Sequence, residues 1–170
     1  MTITLAEGVK LKSILSKQIR DLESEARRTA FATVEKGTLP PPVSRTLEDI
    51  EKEIELARMN QRKLDFLIYT ANSTHTVDFE GQQIPLVEAI ELAIQLRAKA
   101  SFCKELSLAN KEEIQYGYAE STTVYRVALF DPEAYRQKAL LAEKSAHQLS
   151  NRINTKNYTI TLNFNGSEYF

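Results

Sequence analysis

LEDIEKEIELARMNQRKLDFLIYTA, residues 47–71, carries one spacing from end to end. Leu47, Ile50, Ile54, Ala57, Gln61, Leu64, Ile68 and Ala71 follow one another at intervals of 3-4-3-4-3-4-3. A mean period of about 3.5 residues is the seam of a coiled coil, where each apolar position meets a neighbouring helix. Thr46 can cap the start, and Glu48 and Asp49 favour the positive end of the helix dipole in the first turn. Gln61 reads as a register-setting polar contact within the seam, in preference to a position facing solvent at a splayed end.

A first helix over residues 5–34 precedes this one, with Leu11, Leu15, Ile19, Leu22 and Ala26 on one face. Residues 35–46 include Pro40, Pro41 and Pro42, which fix φ and remove amide donors, so they form a stiff loop. The two helices are expected to close an antiparallel, coiled-coil-like hairpin over 5–72, each arm about 40 Å long. Downstream, apolar and polar residues alternate on both sides of Glu80-Gly81, which predicts a β-hairpin over 76–85 with Gly81 at positive φ.

A third helix is expected over 86–110, where Leu86, Ala89, Ala93, Leu96, Ala100 and Cys103 repeat the 3-4 spacing. Residues 111–123 are polar and weakly patterned, a loop. Val124–Phe130 is β-branched and aromatic, a strand. Asp131-Pro132 starts a fourth helix over 132–153, with Ala139, Ala142, Ala146, Leu149 and Ile153 on one face. Residues 158–164 alternate as a half-buried strand, and Asn165-Gly166 can turn the chain after it. The expected class is α+β and predominantly helical: a helix hairpin and helical bundle with a small antiparallel or mixed sheet at one end, in a single domain.

Composition narrows the function classes. The 170 residues carry 22 Lys plus Arg against 23 Asp plus Glu, a net charge of −1, so no specific nucleic-acid signal is present. One cysteine excludes a disulfide framework, and with only His75 and His147 beside it a zinc site has too few ligands. No Gly-rich phosphate loop, HExxH helix or serine elbow is found, so no enzyme, cofactor or catalytic residue is expected. Cys103 lies in a helix seam as an inert thiol, and Asp131 with Glu133 reads as a helix start rather than an acid–base couple. No apolar run is long enough to span a membrane, and the first residues lack a basic region followed by an apolar run; a cytoplasmic location is expected.

Three stretches carry a family resemblance. They are Leu67-Ile-Tyr-Thr-Ala-Asn-Ser-Thr74; Glu80-Gly81 with Ile84, Leu86, Ala89, Ile90 and Leu96-Arg97; and Leu149-Ser-Asn-Arg-Ile-Asn-Thr-Lys-Asn-Tyr158. On these the chain resembles the septicolysin-like family of small bacterial proteins over most of its length after residue 47. Thr70 and Ala93 stand where that family often has arginines. If those arginines hold an anion, the resemblance implies a lost or altered ligand here. The family name implies a membrane-active lysin, although the helix seams are explained by a water-soluble bundle.

Polar residues gather where helices are expected to meet strands. Asn72, Thr74 and His75 follow the second helix; Arg152, Asn154 and Asn157 close the fourth; Arg97 and Arg126 lie on otherwise apolar segments. Arginine forks with Asn and Thr donors suit phosphate or carboxylate groups, although Asn also caps helix ends and Arg also snorkels beside a bundle. Three readings follow: a homo-oligomer binding a small anionic, nucleotide-like ligand; a helical protein–protein scaffold built on the first hairpin; and a lysin.

Overall fold

A computed structural model of the chain describes residues 2–115, 123–167 and 169. It is α+β and predominantly helical. The elements run β1 (Ile3–Thr4), α1 (Leu5–Thr29), α2 (Leu47–Thr74), β2 (Thr76–Phe79), β3 (Gln82–Pro85), α3 (Leu86–Ser107), β4 (Glu112–Gln115), β5 (Val124–Val127), α4 (Pro132–Thr159) and β6 (Thr161–Leu162). The strands do not meet in one sheet but form three separate antiparallel pairs, β1–β6, β2–β3 and β4–β5. Two compact units divide the chain: Met1–Thr74 with Lys156–Phe170, and His75–Thr155.

The first unit is the helix hairpin with the β1–β6 pair. Ile50, Ile54, Ala57, Leu64, Ile68 and Ala71 of α2 are buried, facing Leu11, Leu15 and Leu22 of α1. Polar pairs fix the antiparallel register along its length. Lys12 Nζ meets Asp65 at 2.6 Å, Gln61 Nε2 donates to Ser16 Oγ at 2.9 Å, and Arg58 Nη2 reaches Glu23 at 2.9 Å. Gln61 is therefore an interhelical contact, half-buried in the seam. Each helix begins on a reciprocal capping box: Thr4 with Glu7 in α1, and Thr46 with Asp49 in α2.

Helix α1 ends at Thr29, short of the expected Val34. Its seam needs a partner, and α2 begins only at Leu47; Arg45 closes the hairpin there by bridging Glu25 and Glu53 at 2.8 and 2.5 Å. Beyond that point Phe31 and Val34 are exposed and nothing rewards further helix. At the other end, Gly8 lets the chain ends approach α1. A Cβ built on Gly8 would lie 2.7 Å from Leu162 Cδ1.

The second unit packs α3 and most of α4 with two β-hairpins. The β2–β3 turn is tighter than expected from Gly81 alone. Glu80 and Gly81 both take positive φ, 52° and 81°, as a two-residue type I′ turn requires. Leu86 then starts α3 with its amide on the His75 carbonyl at 2.9 Å, closing the hairpin's base. Asp131 caps the Glu133 amide at 3.1 Å with Pro132 in the first helical position, as its sequence demands.

Two boundaries differ from expectation. Residues 112–115, expected to be loop, form β4 because β5 supplies the ladder: Glu113 lies opposite Arg126 and Ile114 opposite Tyr125. The rest of that expected loop, 116–122, lies outside the described residues. Helix α4 continues to Thr159, beyond the expected residue 153, and its C-terminal Ile160 amide still bonds Lys156 O at 3.0 Å. Tyr158 is thus helical and exposed, while Ile160, Leu162 and Phe164 keep the inward alternation foreseen for the final strand. Among the described residues, no helix is long and apolar enough to cross a membrane.

Candidate functional site

Helices α3 and α4 of the second unit run antiparallel. Arg97 of α3 meets Ser150 of α4, and Arg152 ties the same end of α4 to Asp78, just ahead of α3. Alanines are prominent among their buried residues: Ala89 and Ala93 of α3 and Ala139, Ala142 and Ala146 of α4, beside Leu86, Cys103, Leu149 and Ile153. Small side chains leave little bulk to fill the grooves beside them. One groove is a cleft of about 350 Å³ floored by Ala100, Ala139 and Ala146 and rimmed by Arg97, Ser101, Lys104, Glu143 and His147. That volume lies at the small end of the range of about 300–1,000 Å³ usual for ligand sites.

Helix periodicity explains the rim. Arg97, Ser101 and Lys104 follow one another at 4-3 spacing beside the α3 seam, as do Glu143, His147 and Ser150 beside the α4 seam. The Ser150 hydroxyl donates to Ala146 O at 2.7 Å and accepts from Arg97 Nη2 at 2.5 Å, so it orients the guanidinium along the groove. A guanidinium has five donors, and this contact engages one of them. His147 Nε2 lies 4.0 Å from Glu143 Oε1. Two fixed cations, Arg97 and Lys104, therefore face one carboxylate around the cleft, a local positive balance in a chain of net charge −1.

The residues singled out from the sequence are distributed over both units. Asn72, Thr74 and Asn157 belong to the first unit; His75, Arg97, Arg126, Arg152 and Asn154 belong to the second. Asn72 and Asn157 are half-buried, and Asn154 is exposed. Thr74 returns its hydroxyl to Thr70 O at 2.8 Å, and the His75 carbonyl accepts from Leu86. Arg152 Nη1 is held by both the carbonyl and the carboxylate of Asp78, at 2.5 and 2.6 Å, and so fastens the β2–β3 hairpin to α4. Arg126 stands on an exposed strand opposite Glu113.

Of these eight, Arg97 alone lines the α3–α4 cleft. Lys104, Ser101 and His147 line the cleft with it and Ser150 holds it, none of them among the eight. Their signal was nevertheless present, in two polar 4-3 runs bordering alanine seams on helices of opposite direction. Among the described residues, no group of three or more His, Cys, Asp or Glu side chains is placed to hold a metal ion. Cys103 is buried in α3.

No protein-family model matches the chain, and no curated protein is significantly similar to it. Among solved structures, the fold is similar to that of a functionally unknown conserved protein from Corynebacterium diphtheriae. The two share 24% identity over 95% of this chain and 99% of that one, with a TM-score of 0.68, which establishes a shared fold over nearly the whole of both chains.

Proposed function

We propose that this chain is a non-enzymatic, cytoplasmic, oligomeric protein that binds a small anionic, nucleotide-like ligand in the α3–α4 cleft, and that it is related to the septicolysin-like proteins. One observation carries the reading: Arg97 and Lys104 converge with Ser101 and His147 over a floor of alanines. A planar guanidinium held by Ser150 suits a phosphate or carboxylate, and the small floor residues let a flat ligand approach the helix backbones.

Oligomerisation has its own support. Helix α3 carries large apolar residues outside its buried seam as well as within it. Val87 and Ile94 are each 51% exposed, and Phe102 is 59% exposed. A second copy covering this face would remove that apolar surface from water.

A thermal-shift screen of the purified chain against a nucleotide panel and inorganic phosphate tests the binding reading. A nucleotide should raise the melting temperature, and the shift should vanish in Arg97→Ala/Lys104→Ala. No shift from any nucleotide would refute it.

A second reading, a helical interaction scaffold, draws on α2. Helix α1 fills the Gln61 seam, so that surface offers nothing further to a partner. The opposite face of α2 still presents Leu56, Met59 and Phe66 to solvent at near-heptad spacing. The lysin reading gains no support from the helices described, none of which is able to cross a membrane.

A further inference from the structure

The outward face of α1 carries a second periodic row besides its buried seam. Lys10, Ser13, Lys17, Arg20, Ser24 and Arg27 follow one another at 3-4-3-4-3 spacing, with Arg28 beside the last of them, and all seven are exposed. Their helical phase sets them on the side opposite Leu11, Leu15 and Leu22. From Lys10 to Arg27 the row extends about 26 Å, at 1.5 Å per residue. The net charge of −1 conceals it, because the acids that balance these cations lie elsewhere.

Local structure accounts for only part of the row. Arg27 and Arg28 favour the negative end of the helix dipole in the last turn, and Arg27 meets Glu23 at 3.5 Å. Lys10, Lys17, Arg20 and Arg28 have no ion pair among the described residues, and Asp21 borders the row without pairing with them. Lys17 and Arg20 stand three residues apart in mid-helix, where like charges on one face oppose helix formation. The exposed surface of α2 is different: it mixes signs, and Glu48 pairs with Lys52 and Glu55 with Arg58.

Every polar side chain of the row donates hydrogen bonds, and none is a carboxylate. Lys, Arg and Ser are donors that engage phosphate oxygens along a nucleic-acid backbone. Val9 and Ile14 border the row on opposite edges, and no aromatic ring accompanies it. An amphipathic helix or an acyl chain therefore finds no continuous apolar stripe here, and an unstacked base finds no platform. We propose that this face of α1 docks the phosphate backbone of a nucleic-acid duplex, without regard to base sequence. Lys10, Lys17, Arg20, Arg27 and Arg28 face phosphates, and Ser13 and Ser24 donate between them. A duplex carries one charge per ~1.7 Å of its axis, so phosphates are present along the whole row. The face belongs to the first unit and does not depend on the α3–α4 cleft.

Fluorescence anisotropy of the full chain with a short labelled DNA duplex, and with an RNA duplex, between about 50 and about 200 mM salt tests this. Binding of either duplex supports the face, and the tighter of the two identifies its source. A second duplex of unrelated sequence should bind equally. Log affinity should fall with log salt at a slope of about −4.5 when all five cations reach phosphates. Lys17→Gln/Arg20→Gln should make the slope shallower by about two and weaken binding roughly tenfold, with an unchanged melting temperature showing that the fold is intact. Arg62→Gln/Lys63→Gln, which removes the same charge from α2, and Arg97→Ala/Lys104→Ala should bind as the wild type does. Absence of duplex binding at about 50 mM salt would overturn the proposal. So would an equal loss in the α2 variant, which would mean an effect of net charge, or a loss in the cleft variant, which would move the polyanion to the other unit. Equal binding of polyglutamate or of anionic phospholipid vesicles would overturn it too, placing an acidic protein or a membrane on this face.

Discussion

The two units solve the packing of paired helices in different ways. In the α1–α2 hairpin the interior is made of large side chains: Leu11, Leu15, Ile50 and Leu64 have no exposed surface at all. In the α3–α4 pair, Ala89, Ala93, Ala139, Ala142 and Ala146 are buried beside Leu86 and Leu149, while Val87, Ile94, Phe102 and Leu141 remain open to solvent. The seam of the α1–α2 hairpin is filled by its own two helices, although Leu56, Met59 and Phe66 stay exposed on the far face of α2. Small buried residues on α3 and α4 leave grooves beside the pair, and those are features a ligand can use. The proposed binding thus falls in a different region from the best-filled interior, and each of the following measurements can break that division or sharpen it.

The largest effect should come from emptying the first interior. Leu15→Ala should lower unfolding free energy by about 2–5 kcal/mol in urea denaturation, because the rigid hairpin cannot collapse around the lost volume. A cost well below that range would mean that the first unit is no better packed than the second. Gly8→Ala tests the same unit by addition. The new methyl group meets Leu162 Cδ1 at 2.7 Å in a buried setting, and a cost of about 1–3 kcal/mol is expected.

In the second unit the expected loss is of assembly rather than stability. Ile94→Asp should leave the helical circular-dichroism signal in place while light scattering shows a smaller species than the wild type. Unfolding of the variant under the same conditions would place Ile94 in a core, contrary to its 51% exposure.

Acid should produce the smallest and broadest effect. Glu7 and Asp49 are held below their ordinary values of 4.5 and 3.8 by their capping threonines, and Glu133 is lowered to about 2 by Arg136 and Gln137. A depressed carboxyl contributes stability above its unfolded value and loses it as pH falls through the folded one. The melting temperature should therefore be flat down to about pH 4.5 and decline from there toward pH 2. Replacing Glu133 by Gln should flatten the lower part of that decline.

Much of the fold was legible in the sequence because its signals are local. The 3-4 seam of α2, the Glu80-Gly81 turn and the Asp131-Pro132 helix start each act over a few residues, and each is found in place. The misjudged boundaries depend on distant partners. Helix α1 stops where α2 no longer faces it, β4 exists through its ladder with β5, and Tyr158 continues a helix although its alternation reads as strand. The site was harder to read for the same reason. Residue chemistry drew attention to Arg and Asn at helix ends, whereas the rim of the α3–α4 cleft is set by which residues flank two alanine seams. Arg152, chosen for its charge, is engaged by Asp78; Lys104, an ordinary lysine in the sequence, borders the cleft.

The α3–α4 cleft is tested most directly by a calorimetric titration with the nucleotide that most raises the melting temperature. Wild type and Arg62→Ala, an exposed arginine of the first unit, should bind it with the same affinity, and Arg97→Ala/Lys104→Ala should bind at least tenfold more weakly while remaining folded. Equal affinity in the doubly substituted chain, or no nucleotide binding to the wild type, would contradict the assignment of the ligand to this cleft.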